Sequence, residues 1–289
     1  MTLRSSRGGE HKVVFPQGVE MESLSINGVK QTLQQKEDSV VIPVKAGKQK
    51  IQINWAQKEG VQTWFQTPMF NLGIPSVNSS IEVNMPGRWV FFLGGPPMGP
   101  AVLFWGELFV ILMVAFGLGK LSITPLKPIH WILLALGSIS IGIEGSVVLV
   151  LWFLTIGFRK RYCSEWKPIG FDLFQLFLAV YTLAVFGIIY QAISNGLLGQ
   201  PDMVISGLKS YGSHFYWYQE RSAAALPTSW VFSLPVVTYR IAMLAWALWF
   251  AFNLLKWLRW AWDAYSEEGI WKKIRSKIIK EEKSLKEAK

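Results

Sequence analysis

Residues 131–158 read Trp131-Ile132-Leu133-Leu134-Ala135-Leu136-Gly137-Ser138-Ile139-Ser140-Ile141-Gly142-Ile143-Glu144-Gly145-Ser146-Val147-Val148-Leu149-Val150-Leu151-Trp152-Phe153-Leu154-Thr155-Ile156-Gly157-Phe158. The stretch exceeds the ~18 apolar residues that mark a membrane-spanning helix, and Glu144 is its only charge. Its middle, Gly137 to Ser146, is small, polar and helix-weakening. As one helix it crosses a bilayer once. Broken at the middle, it becomes a re-entrant or interfacial hairpin, and non-helical backbone at depth needs cover from protein or water. The choice sets the sidedness of everything before it.

Three further apolar stretches flank it. Ala101 to Leu118 carries only Glu107, Phe171 to Leu198 has Asp172 at its edge, and Trp230 to Leu255 contains Arg240. Hydrophobic residues make up 51% of the chain and charged residues 17%, against roughly 25% charged in average soluble domains. Trp105, Trp131, Trp152, Trp230, Trp257, Trp260 and Trp262 lie mostly near stretch ends, as an aromatic belt requires. These features predict a polytopic α-helical membrane protein and weigh against a soluble helical core. They also exclude disorder and a collagen-like chain. The lone Cys163 excludes an internal disulfide and a Cys-based metal cluster. His11, His130 and His214 are far apart with no ligand spacing, so no metal, cofactor or catalytic set is predicted.

Residues 1–88 have a different character. Val40-Val41-Ile42-Pro43-Val44 reads as a strand, and Lys50 to Trp55 places Ile51, Ile53 and Trp55 on one strand face. Ser25-Ile26-Asn27-Gly28-Val29 holds the Asn-Gly hairpin signal. Thr63-Trp64-Phe65 and Ser80 to Asn84 add strands, with turns at Pro68, Gly73 and Pro75. The expectation is a small all-β, sandwich-like module, marginal alone at this size. The opening residues lack the apolar core of a signal peptide. The module is therefore cytoplasmic, exported by later helices, or part of something longer.

Residues 89–100 contain Gly94-Gly95-Pro96-Pro97-Met98-Gly99-Pro100. The run lacks the Gly-Lys-Ser/Thr ending of a phosphate loop, and Pro100 suits a helix start. A rigid, tightly turning hinge is the reading. The membrane region is placed at 101–258 and a basic amphipathic tail at 259–289.

The loop Arg159-Lys160-Arg161 with Lys167 is basic, and from Lys256 onward ten Lys/Arg face six acidic residues. The positive-inside rule puts both in the cytoplasm. The loop 199–228 has only Lys209 and Arg221 against Asp202 and Glu220, and fits the other side. Four full crossings then place the β module in the cytoplasm. A re-entrant second stretch puts Lys120, Lys127 and the Arg159 cluster in the cytoplasm and the module outside. Physics alone leaves both open.

Several strings resemble a family of large, poorly characterised bacterial inner-membrane proteins. They are Arg88-Trp89, Gly95-Pro96-Pro97-Met98-Gly99-Pro100-Ala101-Val102-Leu103-Phe104-Trp105, Thr124-Pro125-Leu126, Trp217-Tyr218-Gln219-Glu220-Arg221-Ser222, Tyr239-Arg240, and Ala242-Met243-Leu244-Ala245-Trp246-Ala247-Leu248-Trp249. The resemblance implies an extracytoplasmic β-rich region leading into a C-terminal helical membrane segment. It implies architecture rather than mechanism, and it tips the module to the extracytoplasmic side.

Glu107, Glu144 and Arg240 are the ionisable candidates inside apolar stretches. Charges in hydrocarbon usually face protein or water, so they form either an intramembrane charge network for transport or a structural pair. Tyr211, His214, Trp217, Tyr218 and Arg221 form either a ligand-binding lip or an interfacial segment in the headgroup layer. Ser206, Ser210, Ser213 and Ser222 lie near His214 without a Gly-x-Ser-x-Gly string. Cys163 beside Arg159, Lys160 and Arg161 has an environment favouring thiolate, though a lone membrane-proximal Cys is more often incidental. From Gly269 the tail sets Ile270, Trp271, Ile274 and Ile278 against Lys272, Lys273, Arg275, Lys277 and Lys280, a basic face for anionic lipid or a partner. The net charge of +10 borders apolar segments, which argues against nucleic acid.

The sequence therefore predicts a bacterial inner-membrane, multi-pass protein with three or four spanning helices, one of them re-entrant in the second solution. Its C-terminus is cytoplasmic. Its leading role is that of a non-catalytic anchor and interaction subunit whose β module contacts a protein partner. A transport component using Glu107, Glu144 and Arg240, and a membrane enzyme using the loop 199–228, are the rivals.

Overall fold

A computed structural model of the chain describes residues 1–16, 18–32, 35–36, 38–58, 60–138, 142–162, 166–267 and 269–271. The chain divides into two compact units. One combines Met1–Phe104 with Asp202–Pro235, and the other combines Trp105–Pro201 with Val236–Lys289. The β module is therefore larger than residues 1–88 and is built from two separated chain segments.

In the β-rich unit the first segment supplies β1 (Thr2–Ser5), β2 (Gly9–Val14), β3 (Val19–Ile26), β4 (Val29–Gln31), β5 (Gln35–Lys36), β6 (Ser39–Val44) and β7 (Gly47–Gln57). It continues with β8 (Trp64–Gln66), β9 (Ser76–Asn84), β10 (Arg88–Gly94) and β11 (Ala101–Val102). The second segment supplies β12 (Ile205–Ser206), β13 (His214–Ser222) and β14 (Trp230–Pro235). The sheets run β1-β7-β3-β4, β10-β14-β8, β2-β6-β5, β13-β9 and β11-β12. All these pairings are antiparallel.

The Asn-Gly signal forms the β3–β4 turn, with φ of 55° at Asn27 and 83° at Gly28, the positive pair that a tight hairpin turn favours. On β7, Ile51 is buried, Ile53 is half-buried and Trp55 emerges to meet Phe70 edge-on at 4.7 Å. One apolar core gathers Val13, Leu24, Val40, Ile42 and Ile51. A second gathers Val83, Val90, Phe215, Trp217 and Val231.

Arg88–Gly94 is a strand within the β10-β14-β8 sheet, so the Gly/Pro hinge is shorter than residues 89–100. Gly95 and Gly99 lie against Trp217, whereas Gly94 lies against Trp230. A Cβ on Gly95 would lie 3.0 Å from the Trp217 indole, and one on Gly99 would overlap it.

The helical unit comprises α1 (Phe104–Leu118), α2 (Pro128–Ser138), α3 (Gly142–Tyr162), α4 (Pro168–Leu198) and α5 (Val236–Ser266). The apolar stretch of residues 131–158 is two helices, and α3 opens on Gly142 at φ 74°. The intervening Ile139, Ser140 and Ile141 lie outside the described residues. Two helices, α4 and α5, are long and apolar enough to cross a membrane, while α1 and α2 are shorter and apolar. The apolar stretches beginning at Ala101 and Trp230 differ from helices at their starts. Ala101–Val102 and Trp230–Pro235 are strands, because both pair with partners from the other segment.

The buried side of α4 runs Phe171, Gln175, Leu178, Val185, Ile189, Ala192 and Gly196, spaced in combinations of three and four residues. Buried Met243, Phe250, Trp257 and Ala264 repeat every seven residues on α5. Such spacing keeps one seam facing a neighbouring helix. The core holds Trp131, Trp152, Phe153, Leu178, Phe250 and Trp257. Trp246 donates its indole N–H to the Leu133 carbonyl at 2.7 Å, and a Cβ on Gly137 would overlap its ring.

Candidate functional site

The aromatic segment Tyr211 to Arg221 is not a single lip. Most of it is β13, whose register pairs Tyr216 with Glu82 and Trp217 with Ile81 on β9. Alternation sends neighbouring side chains to opposite faces. Phe215 and Trp217 are buried in the second β core; Trp217 is 1% exposed and leaves the proposed binding group. His214 Nε2 lies 3.4 Å from Glu82 Oε1, and Tyr211 stacks on the His214 ring at 5.2 Å. The Tyr218 hydroxyl donates to Asn78 Oδ1 at 2.6 Å. Arg221 is exposed. The nearby serines are engaged structurally: Ser210 Oγ accepts the Tyr216 N–H at 2.8 Å, and Ser222 Oγ donates to Ser79 Oγ at 3.1 Å.

A second aromatic group lies on the β10-β14-β8 sheet. Trp64 stacks on Trp230 at 4.7 Å with an interplanar angle of 10°, and Phe232 lies 6.3 Å from Phe92. Trp64 remains 55% exposed. Arg88 braces the sheet, donating from Nε to Ser233 Oγ at 3.1 Å and from Nη2 to the Ser233 and Gln62 carbonyls at 2.8 and 2.9 Å. Trp230 and Phe232 are half-buried, so the sheet presents Trp64 and Phe92 as an exposed aromatic face.

Glu107, Glu144 and Arg240 stand near the starts of α1, α3 and α5. Each is exposed, and among the described residues no ion pair joins any two of them. The structure therefore supplies no buried charge relay from these three.

The buried charge is Arg159, near the end of α3 and 3% exposed. Its Nε donates to Gln175 Oε1 at 2.8 Å, Nη1 donates to the Ala264 carbonyl, and Nη2 donates to the Glu267 carbonyl at 3.2 Å. Gln175, fully buried, donates to the Tyr265 carbonyl at 2.8 Å. The last carbonyls of a helix have no partner within the helix. Here α3 and α4 supply side-chain donors to those of α5, and the cation complements the negative end of its dipole. The guanidinium also lies 5.1 Å from the Phe171 ring centroid and 5.7 Å from that of Tyr265, in range for cation–π attraction.

From sequence, Arg159 belongs to a basic loop on the cytoplasmic side; in the structure it lies within α3. The available signal was Gln175 inside an otherwise apolar stretch, a polar group that burial obliges to find partners. Cys163 and the tail cations Lys272, Lys273, Arg275, Lys277 and Lys280 lie outside the described residues. Among the described residues no cluster of metal-ligating side chains occurs.

No family model, curated protein or solved structure matches the chain.

Proposed function

We propose that the chain is a non-catalytic, multi-pass subunit of a bacterial envelope complex. It is embedded in the inner membrane, with its β-rich unit outside the cytoplasm and its C-terminus inside. The reading is carried by the pairing of β13 and β14 with β9, β10 and β8.

A folded unit occupies one side of a bilayer. The chain leaves the β-rich unit after Phe104, returns at Asp202 and leaves again after Pro235. It must cross an even number of times between the first two points. If α1 and α4 each cross once, the α2–α3 pair adds none or two. A single crossing by residues 131–158 conflicts with this parity, which argues against the four-crossing arrangement. On this reading α2 and α3 form a re-entrant or complete hairpin, and α5 makes the final crossing.

Contacts within the helical unit support the sidedness. Arg159 of α3 meets the end of α5 and Gln175 near the start of α4, and Arg161 donates to Ser122 after α1. These contacts gather Lys120, Arg159, Lys160, Arg161 and Lys167 toward one end, which the positive-inside rule assigns to the cytoplasm. The resemblance to the inner-membrane family points the same way. For the partner, the exposed Trp64 face is the surface we assign.

Cysteine labelling in intact cells tests the reading. In a C163S background, S80C on β9 should react with an impermeant maleimide from outside, and S122C should react only after the cells are opened. The reverse pattern overturns the sidedness. Affinity purification should recover a protein that W64E loses at unchanged expression; equal recovery removes the partner face.

A further inference from the structure

We propose that the crevice between α4 and α5 binds one anionic diacyl phospholipid of the cytoplasmic leaflet. This inference rests on the membrane reading above. The cavity measures about 780 Å³ and is floored by Trp152, Ile156 and Arg159 of α3. Its walls are Leu178, Thr182 and Phe186 on one side and Leu255, Leu258 and Trp262 on the other. This is the size of a small-molecule site, and its chemistry is graded along the helices.

The polar members Arg159, Arg259 and Asp263 lie toward one end, the end where Arg159 reaches the Ala264 carbonyl. The other end is Phe186, eleven residues beyond Gln175 on α4 and so roughly 16 Å along its axis. A cationic mouth with an apolar shaft matches an amphiphile with an anionic head and an acyl chain.

Arg259 carries the selectivity. It is exposed, and among the described residues no ion pair joins it to Asp263, so its guanidinium is available for a phosphate, which it can meet with two parallel hydrogen bonds. Thr182 offers no competing polarity deeper in the crevice. Its hydroxyl donates to the Leu178 carbonyl at 2.7 Å and accepts the Trp152 indole N–H at 3.0 Å. Trp262 at the mouth suits the headgroup boundary. A second groove, lined by α1, α2 and α3, carries Glu107 as its charged group and has the wrong sign for the same head.

The test uses the full chain in non-ionic detergent, titrated with phosphatidylglycerol or phosphatidylcholine of identical acyl chains and read by native mass spectrometry. One phosphatidylglycerol should bind at least about fivefold more tightly than phosphatidylcholine, the advantage expected of one cation at a membrane surface. R259Q should abolish the preference and R259K should retain it. Ala179 also lines the crevice; A179F should fill it and weaken both lipids, while E107Q should change neither. Equal binding of the two lipids, or wild-type selectivity in R259Q, overturns the site. Alkaline carbonate extraction of cell membranes reads the parent proposal separately. Release of the chain into the supernatant defeats the membrane reading, whereas retention with unselective lipid binding defeats this inference alone.

Discussion

The two units are held together by different means. In the β-rich unit, main-chain hydrogen bonds join segments remote in sequence: the Tyr218 N–H donates to the Met98 carbonyl, and the Ser233 N–H donates to that of Thr63. In the helical unit the main-chain ladder runs within each helix, and side chains join one helix to another, through repeating seams and through Arg159, which caps the last carbonyls of α5. The first unit depends on register, and the second on a few packing points. Mutations should therefore fail differently in each.

The largest effect is expected in the second β core. W217A removes a fully buried indole and should destabilise the β-rich unit by about 3–5 kcal/mol. Limited proteolysis should then cut residues 60–100 and 202–235 together while the helical unit stays resistant. Independent cleavage of the two segments would mean that they do not fold as one unit.

R159A comes next. It strips donors from the α5 carbonyls and from Gln175, at about 3 kcal/mol for the unpaired groups. Thermal unfolding in detergent should fall, with early cleavage after α5 rather than in the strands. R159K should rescue little, since an ammonium cannot reproduce the guanidinium fork.

A smaller contrast sharpens the packing argument inside the helices. G137A places a methyl against the Trp246 ring and should cost about 1–3 kcal/mol by overpacking. G187A meets nothing within 4 Å and should stabilise α4 by up to about 1 kcal/mol. Melting temperatures of the two variants should move in opposite directions.

The smallest effect belongs to the Lys58–Glu20 pair, 2.7 Å apart with side chains 82% and 66% exposed. The hydrogen bond and charge of Glu20 hold the Lys58 amine above its ordinary value. A raised amine contributes at pH below its unfolded value and loses that contribution as pH rises through the folded one. The window therefore lies above about pH 10, and solvent screens the pair. E20Q should leave the melting temperature unchanged within about 1 °C at neutral pH.

Legibility followed the range of the interaction concerned. The strands at Val40–Val44 and Lys50–Trp55 and the Asn27-Gly28 turn were readable, because alternation and turn chemistry are local. Trp230–Pro235 read as the start of a helix, because an apolar run fits a spanning helix and a central strand equally well. Trp217 read as interfacial because nothing beside it in sequence reveals that Gly95 and Gly99 make room for its ring. The segment from His214 to Arg221 reads as one aromatic group in sequence, but strand alternation divides it between a core and a surface.

By itself, the sequence determined where apolar surface accumulates, where it weakens between Gly137 and Ser146, and which flanks are basic. Those are per-residue properties, set by the free energy of moving each side chain out of water. Only the tertiary structure decided that residues 202–235 complete the β-rich unit and that Arg159 is buried rather than solvated. Both depend on partners more than a hundred residues away. A strand's neighbour or a guanidinium's acceptors are chosen by the whole fold, because a buried polar group must be satisfied wherever the chain brings a partner.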